Sequence, residues 1–150
     1  MGRQAPAELG GLNHTERTAM SELKTHFGGC HCGAVRWEVD LPDTFEVEDC
    51  NCSMCAMSGN IHIIVPASRF RLMQGAGNLT EYTFNTGVAK HRFCKTCGIK
   101  SFYIPRSNPD GVAVTWRCID DWQDLKVKVN KFDGQNWEKH AHTLAHKSKD

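Results

Sequence analysis

Apolar and polar residues alternate along much of this chain. In "AVRWEVDL", Val35, Trp37 and Val39 interleave with Arg36, Glu38 and Asp40, the period of two that a half-buried strand needs. "NIHIIVP" reads as a buried strand ending at Pro66, and "SRFRLMQG" and "LTEYTFNT" as two more, joined by the Gly-rich turn "GAGN". "KHRFCKTCGIKSFYI" continues as strand, cysteine turn, strand; "PRSNPDG" (105–111) is a loop, and "VAVTWRCI" a further strand. After the acidic turn "DDWQD", "LKVKVNKF" alternates again, and "NWEKHAHTLAHKSKD" reads as a short helix that then frays. The pattern predicts one mostly-β domain of short antiparallel strands with little helix. It spans 26–139, between a loose polar leader (1–25) and a tail (140–150).

Composition narrows the function classes. A chain of 150 residues can bury a real core. Its formal charge of +1 gives no bulk attraction to nucleic acid or membrane, and no stretch approaches the roughly 20 apolar residues of a span. The first twenty residues hold no apolar signal core, and Pro6 breaks a myristoylation pattern. Cytosol or nucleus is the expected compartment, where thiols stay reduced. The eight cysteines fall as "CHC" (Cys30, Cys32), "CNCSMC" (Cys50, Cys52, Cys55), "CKTC" (Cys94, Cys97) and a lone Cys118. Clusters this tight suit sulfurs converging on an ion better than disulfides between distant elements.

Zinc suits these ligands, because it takes tetrahedral thiolate shells without redox chemistry. Cys30, Cys32, Cys94 and Cys97 supply four sulfurs from two distant segments, as a structural site does. Cys50, Cys52 and Cys55 supply only three, the pattern of a zinc with an open position. Cys118, His62, His31 or His91 could each close that shell instead. Cys118 alternates in phase with Val112, Val114 and Trp116, which favours a core position, and His62 alternates within its apolar strand.

"GGCHCGAVRWEV", "DCNCSMC", "FCKTCGIKSFY", "RSNPDG", "RCID" and "FDGQNWE" together resemble the family of glutathione-dependent formaldehyde-activating enzymes and centromere protein V, from about Phe27 to Glu138. The likeness is nearest to the animal centromere-protein-V branch, through "CNCS", "VPASRF", "YTFNT", "FCKTCG" and "SFYIPRSNP". The resemblance implies a zinc-bearing β-tent fold with two zincs, one on Cys30, Cys32, Cys94 and Cys97, the other on Cys50, Cys52 and Cys55 with a position open to a thiol. It implies carbon–sulfur lyase chemistry on glutathione–aldehyde adducts of the S-hydroxymethylglutathione type. The leader balances Arg3, Arg17 and Lys24 against Glu8, Glu16 and Glu22, which speaks against chromatin or microtubule contact.

Three thiolates would leave the second zinc with a formal charge of −1, so a nearby donor or cation is expected. Arg36, Arg69, Lys90, His91 and Arg92 are candidates for that duty and for the carboxylates of glutathione; Ser53 is a candidate sulfur donor, and Met54 and Met57 candidate walls. Trp37, Trp116, Trp122 and Trp137 read as core, and His140, His142 and His146 as a solvated tail. The competing class is a non-catalytic, zinc-stabilised protein-binding module whose second shell is closed by Cys118 or a histidine. A nucleic-acid knuckle is disfavoured by the charge and by the acidic stretches "DTFEVED" and "CIDDWQD". Nothing in the sequence sets an oligomeric state.

Overall fold

The computed structural model describes residues 22–149, so the leader reading for 1–21 lies outside the described residues. The expected mostly-β architecture is present as ten strands in two sheets. The smaller sheet has the order β1-β2-β5, from β1 (Lys24–Gly29), β2 (Arg36–Leu41) and β5 (Phe70–Gln74). The larger holds β3 (Thr44–Cys50), β4 (Ile61–Pro66), β6 (Leu79–Tyr82), β7 (Lys90–Cys94), β8 (Phe102–Ile104), β9 (Gly111–Thr115) and β10 (Lys126–Phe132), in the order β10-β3-β4-β9-β8-β7-β6. Every ladder between strands is antiparallel except β3–β10, which runs parallel over seven residue pairs. Among the described residues helix is limited to α1 (Ser53–Ser58), the single turn α2 (Trp137–His140) and short 3-10 segments.

The two sheets close on one core containing Val35, Trp37, Val39, Leu41, Val47, Val114 and Ile119. Strand alternation sends one parity of the large sheet there: Ile63 and Val65 of β4, Phe102 of β8, Val112 and Val114 of β9. Trp37 is 1% exposed, and its indole N–H donates to Ser101 Oγ at 3.0 Å. Gly28 permits this packing, since a Cβ there would lie 2.4 Å from the Cys118 carbonyl and 2.5 Å from the Trp37 ring. Trp37→Ala should lower unfolding free energy by about 3–5 kcal/mol in denaturant titration, because a large cavity opens and Ser101 loses its donor.

Some local readings need correction. "TFEVEDC" adds a strand, β3, to those expected; Glu48 interrupts its pattern and is buried because Lys147 pairs with it. "VAVTWRCI" leaves the sheet at Thr115 and turns into a 3-10 segment over Trp116–Cys118. The chain after His140 does not fray: Ala141–Ser148 is a 3-10 segment with Leu144 and Ser148 buried. Asn108 Nδ2 donates to the Leu144 carbonyl (2.9 Å) and to Ser148 Oγ (2.9 Å), and Ser148 Oγ donates to Asp110 (2.6 Å). His142 and His146 on its outer side are exposed, as expected of solvated groups.

Candidate functional site

The sulfurs of Cys30, Cys32, Cys94 and Cys97 all lie within 4.8 Å of one another. Cys32 stands 3.6 Å from both Cys30 and Cys94, close to the roughly 3.8 Å that a tetrahedral ion with about 2.3 Å Zn–S bonds imposes. Each cysteine turn ends in a glycine with left-handed backbone, Gly33 (φ +84°) and Gly98 (φ +78°), which turns amides toward the sulfurs. Val35 N–H donates to Cys30 (3.3 Å), and Thr96 N–H (3.3 Å) and Asn78 Nδ2 (3.2 Å) to Cys94. Such donors, led by the Cys97 amide, hold the Cys94 thiol down at about 6. This donor set fits a structural thiolate-bound metal.

Cys50, Cys52 and Cys55 form the other sulfur group, again within 4.8 Å. Cys50 ends β3. Cys52 caps α1, its sulfur accepting the Cys55 N–H at 3.4 Å, and Cys55 sits one turn in. The cap-to-third-residue spacing therefore points both sulfurs the same way. Gly134 closes the floor: a Cβ there would lie 2.4 Å from Cys50 Sγ. Hydrogen bonds with Cys50 and Cys55 hold the Cys52 thiol far down, while those with Cys50 and Cys52, together with burial, push Cys55 far up. Three packed thiols cannot all ionise without a cation, so this donor set too fits a metal. Among the described residues no fourth His, Cys, Asp or Glu joins the group.

The opposite parity of the large sheet faces this triad. His62 and Ile64 of β4, Tyr103 of β8, Ala113 of β9 and His91 of β7 share that side. Register aligns Ile64, Ala113, Tyr103, His91 and Tyr82 in one cross-strand row. His91 stacks on Tyr103 with ring centres 5.1 Å apart and on Phe84 at 5.5 Å. The Tyr103 hydroxyl lies 4.0 Å from Cys55 Sγ and 3.3 Å from His62 Nδ1. A cavity of about 400 Å³ opens above, walled by α1, the loop carrying Phe84–Thr86, and the chain from Phe132 to Leu144.

The wall is electrostatically layered. Burial, reinforced by the negative sulfurs, keeps the Tyr103 phenol protonated well above its ordinary range. Asn60 Nδ2 donates to Thr115 Oγ1 (2.8 Å), which donates to the Lys100 carbonyl (2.7 Å), so Asn60 Oδ1 accepts from His62 Nδ1–H at 2.9 Å. His62 Nε2 is left as an acceptor 3.5 Å from the Tyr103 hydroxyl. Lys100 Nζ sits over the Tyr103 ring at 4.4 Å and donates to His91 Nδ1 at 3.2 Å, while burial lowers its own pKa.

Burial first, and the Lys100 charge second, lower both His62 and His91 to about 4. The unfolded imidazoles titrate near 6.5, so the unfolded chain binds more protons between those values. Stability contributed by neutral His62 and His91 is then complete above about pH 6.5 and lost as pH falls toward about 4. Denaturant titrations across that window should show the fall, with a shallower slope in His91→Phe.

Of the sequence candidates for ligand, charge or wall, His62, His91, Ser53 and Met54 line the cavity with the triad. Arg36 is held by Asp120 (3.0 and 2.5 Å) beside the other cluster, and Arg92 by Glu81 (3.1 Å). Lys90 Nζ donates to the Gly87 carbonyl (2.6 Å), and Arg69 lies toward Asp40. Met57 is exposed, so it walls nothing. Cys118 packs against the main core near Cys30 and Cys97, with burial pushing its thiol up to about 11, and so does not close the triad. His31 is exposed beside Cys30 and Cys32. Trp137, expected in the core, lines the cavity, with the Arg106 guanidinium 3.8 Å from its ring centre. Tyr103, Lys100 and Arg106 were missed; the two-residue alternation with Phe102 in the core was the available signal for Tyr103.

Residues 25–135 match the model of the family described as glutathione-dependent formaldehyde-activating enzyme. Among solved structures, the chain is similar to a Rhodobacter sphaeroides protein determined by crystallography as a Northeast Structural Genomics target. The two are 38% identical, with 68% of this chain and 99% of that one covered and a TM-score of 0.58.

Proposed function

Because the chain belongs to the family of glutathione-dependent formaldehyde-activating enzymes, we propose that it is a zinc-dependent carbon–sulfur lyase making and breaking S-hydroxymethylglutathione-type adducts. One observation carries this: three sulfurs converge at the floor of a cavity with no fourth ligand among the described residues. Cys50, Cys52 and Cys55 would hold one zinc, and Cys30, Cys32, Cys94 and Cys97 a structural one. A zinc held by the three sulfurs would supply Lewis acidity that lowers the pKa of an incoming thiol.

The protein's own groups handle the rest. In the forward direction the thiol sulfur bonds to the aldehyde carbon, the carbonyl π bond breaks, and the thiol proton ends on the new hydroxyl. Tyr103, kept protonated beside Cys55, donates to that oxygen as negative charge develops on it. Without substrate the phenol proton points to His62 Nε2, whose tautomer Asn60 fixes, and the hydroxyl turns it to the substrate oxygen as the step proceeds. The reverse sequence releases aldehyde and thiol. The motifs "CNCS", "VPASRF" and "SFYIPRSNP" support placement beside the animal centromere-protein-V branch, and the cysteine usage supports a cytosolic or nuclear setting.

The test is exchange NMR on glutathione, formaldehyde and their adduct at equilibrium. The zinc-loaded chain should speed interconversion above the uncatalysed rate, and Tyr103→Phe should remove about 10²–10⁴-fold of that acceleration. No acceleration at any enzyme concentration would overturn the reading.

A further inference from the structure

The cavity is larger and more apolar than a one-carbon aldehyde requires. Beside the triad stand Met54, Phe84, Tyr103, Phe132, Trp137 and Leu144. Trp137 and Leu144 belong to the chain beyond residue 135, where the family match ends. That added wall is fixed in place. Leu144 is 6% exposed, its carbonyl accepts from Asn108 at 2.9 Å, and Trp137 is capped by Arg106, itself paired with Glu138 at 2.7 Å. Arg106 is the one Lys or Arg among the described residues lining the cavity, and Glu138 already engages its charge. Little therefore recommends the space near the sulfurs to the charged ends of glutathione. Apolar surface would leave water there favourably, and a flat ring matches the aromatic walls.

We propose that this site takes thiol adducts of bulky apolar aldehydes, aromatic ones foremost, with Trp137 and Leu144 as the specificity-determining wall. The proposal rests on the carbon–sulfur reading above. The step is R–SH + R′–CHO ⇌ R–S–CH(OH)–R′: one carbon–sulfur bond forms, the carbonyl π bond opens, the thiol proton ends on oxygen, and no oxidant or reductant is consumed. The R′ group lies against the C-terminal wall while the sulfur faces the triad.

Exchange NMR on the full zinc-loaded chain, with the glutathione adducts of formaldehyde and of benzaldehyde, tests this. The benzaldehyde adduct should show an apparent KM about tenfold or more below that of the formaldehyde adduct. Trp137→Ala should raise the benzaldehyde KM about tenfold more than the formaldehyde KM, and Trp137→Phe should restore most of the difference. Melting curves identify any variant that fails to fold, and Leu144→Ala, read the same way, gives an independent probe of the wall. Equal KM values in the parent chain, or a KM ratio unmoved in folded Trp137→Ala, would overturn the inference and leave the carbon–sulfur reading standing. Acceleration of neither adduct would sink both.

Discussion

Cys55→Ser is expected to hold one zinc per chain where the parent holds two, and to lose its acceleration of adduct exchange while still folding. Cys55 is 4% exposed, and its sulfur lies 4.0 Å from the Tyr103 hydroxyl. Serine keeps the shape but offers a hard, un-ionised oxygen in place of a soft thiolate, and two sulfurs do not hold zinc as three do. Loss of groups that merely orient ligands costs about 10–100-fold in metal affinity, so loss of a ligand should exceed about 100-fold. The fold should survive because the first cluster and the Trp37 core are separate from the triad. Metal counting by inductively coupled plasma spectrometry, beside circular dichroism, checks both halves. A variant that keeps two zincs would show that the triad is not a metal site.

Cys94→Ser should do the opposite, unfolding the chain or leaving it molten. Cys94 is 1% exposed, and its cluster ties the turn after β1 to the turn after β7, across 62 residues between Cys32 and Cys94. Structural zinc sites contribute about 10–16 kcal/mol of apparent binding free energy, as much as the roughly 5–15 kcal/mol of net stability in ordinary domains. A strong chelator should likewise collapse the thermal transition of the parent chain, and Cys55→Ser should respond to it in the same way. A Cys94→Ser protein melting within a few degrees of the parent would contradict a structural role.

The contrast between these variants reflects what could be read from residue order. The pairs Cys30/Cys32 and Cys94/Cys97 and the triad were legible because their sulfurs sit two or three residues apart, so local turn geometry brings each set together. The grouping of 30–32 with 94–97 was inferred by counting ligands, and the sulfurs do converge. The cavity wall was much less visible. Tyr103, His91 and His62 meet only because β8, β7 and β4 lie in the order β4-β9-β8-β7, and strand order is set by long-range pairing that periodicity does not encode. The parallel β3–β10 pairing, which brings Phe132 beside Cys50, was hidden for the same reason.

Polar residues concealed the remainder. Glu48 disguised β3, and its partner Lys147 lies 99 residues away. The C-terminal segment offers one apolar anchor, Leu144, and is otherwise held by hydrogen bonds to Asn108 and Asp110 that no hydropathy pattern reports. The cationic candidates were chosen for nearness in sequence to cysteines, yet Arg36 and Arg92 are engaged by carboxylates on their own surfaces. Lys100 is the cation that the fold brings against Tyr103, because the turn after Cys97 returns it there.

The most direct test of an open, thiol-accepting triad is a native mass spectrum of the zinc-loaded chain with and without glutathione. The expected result is two zincs per chain, one for each sulfur cluster, and a saturable glutathione adduct that disappears in Cys52→Ser together with one zinc. Two zincs with no adduct at any glutathione concentration would mean that the second shell is closed. The chain would then be a zinc-stabilised binding module, and the carbon–sulfur reading would fall.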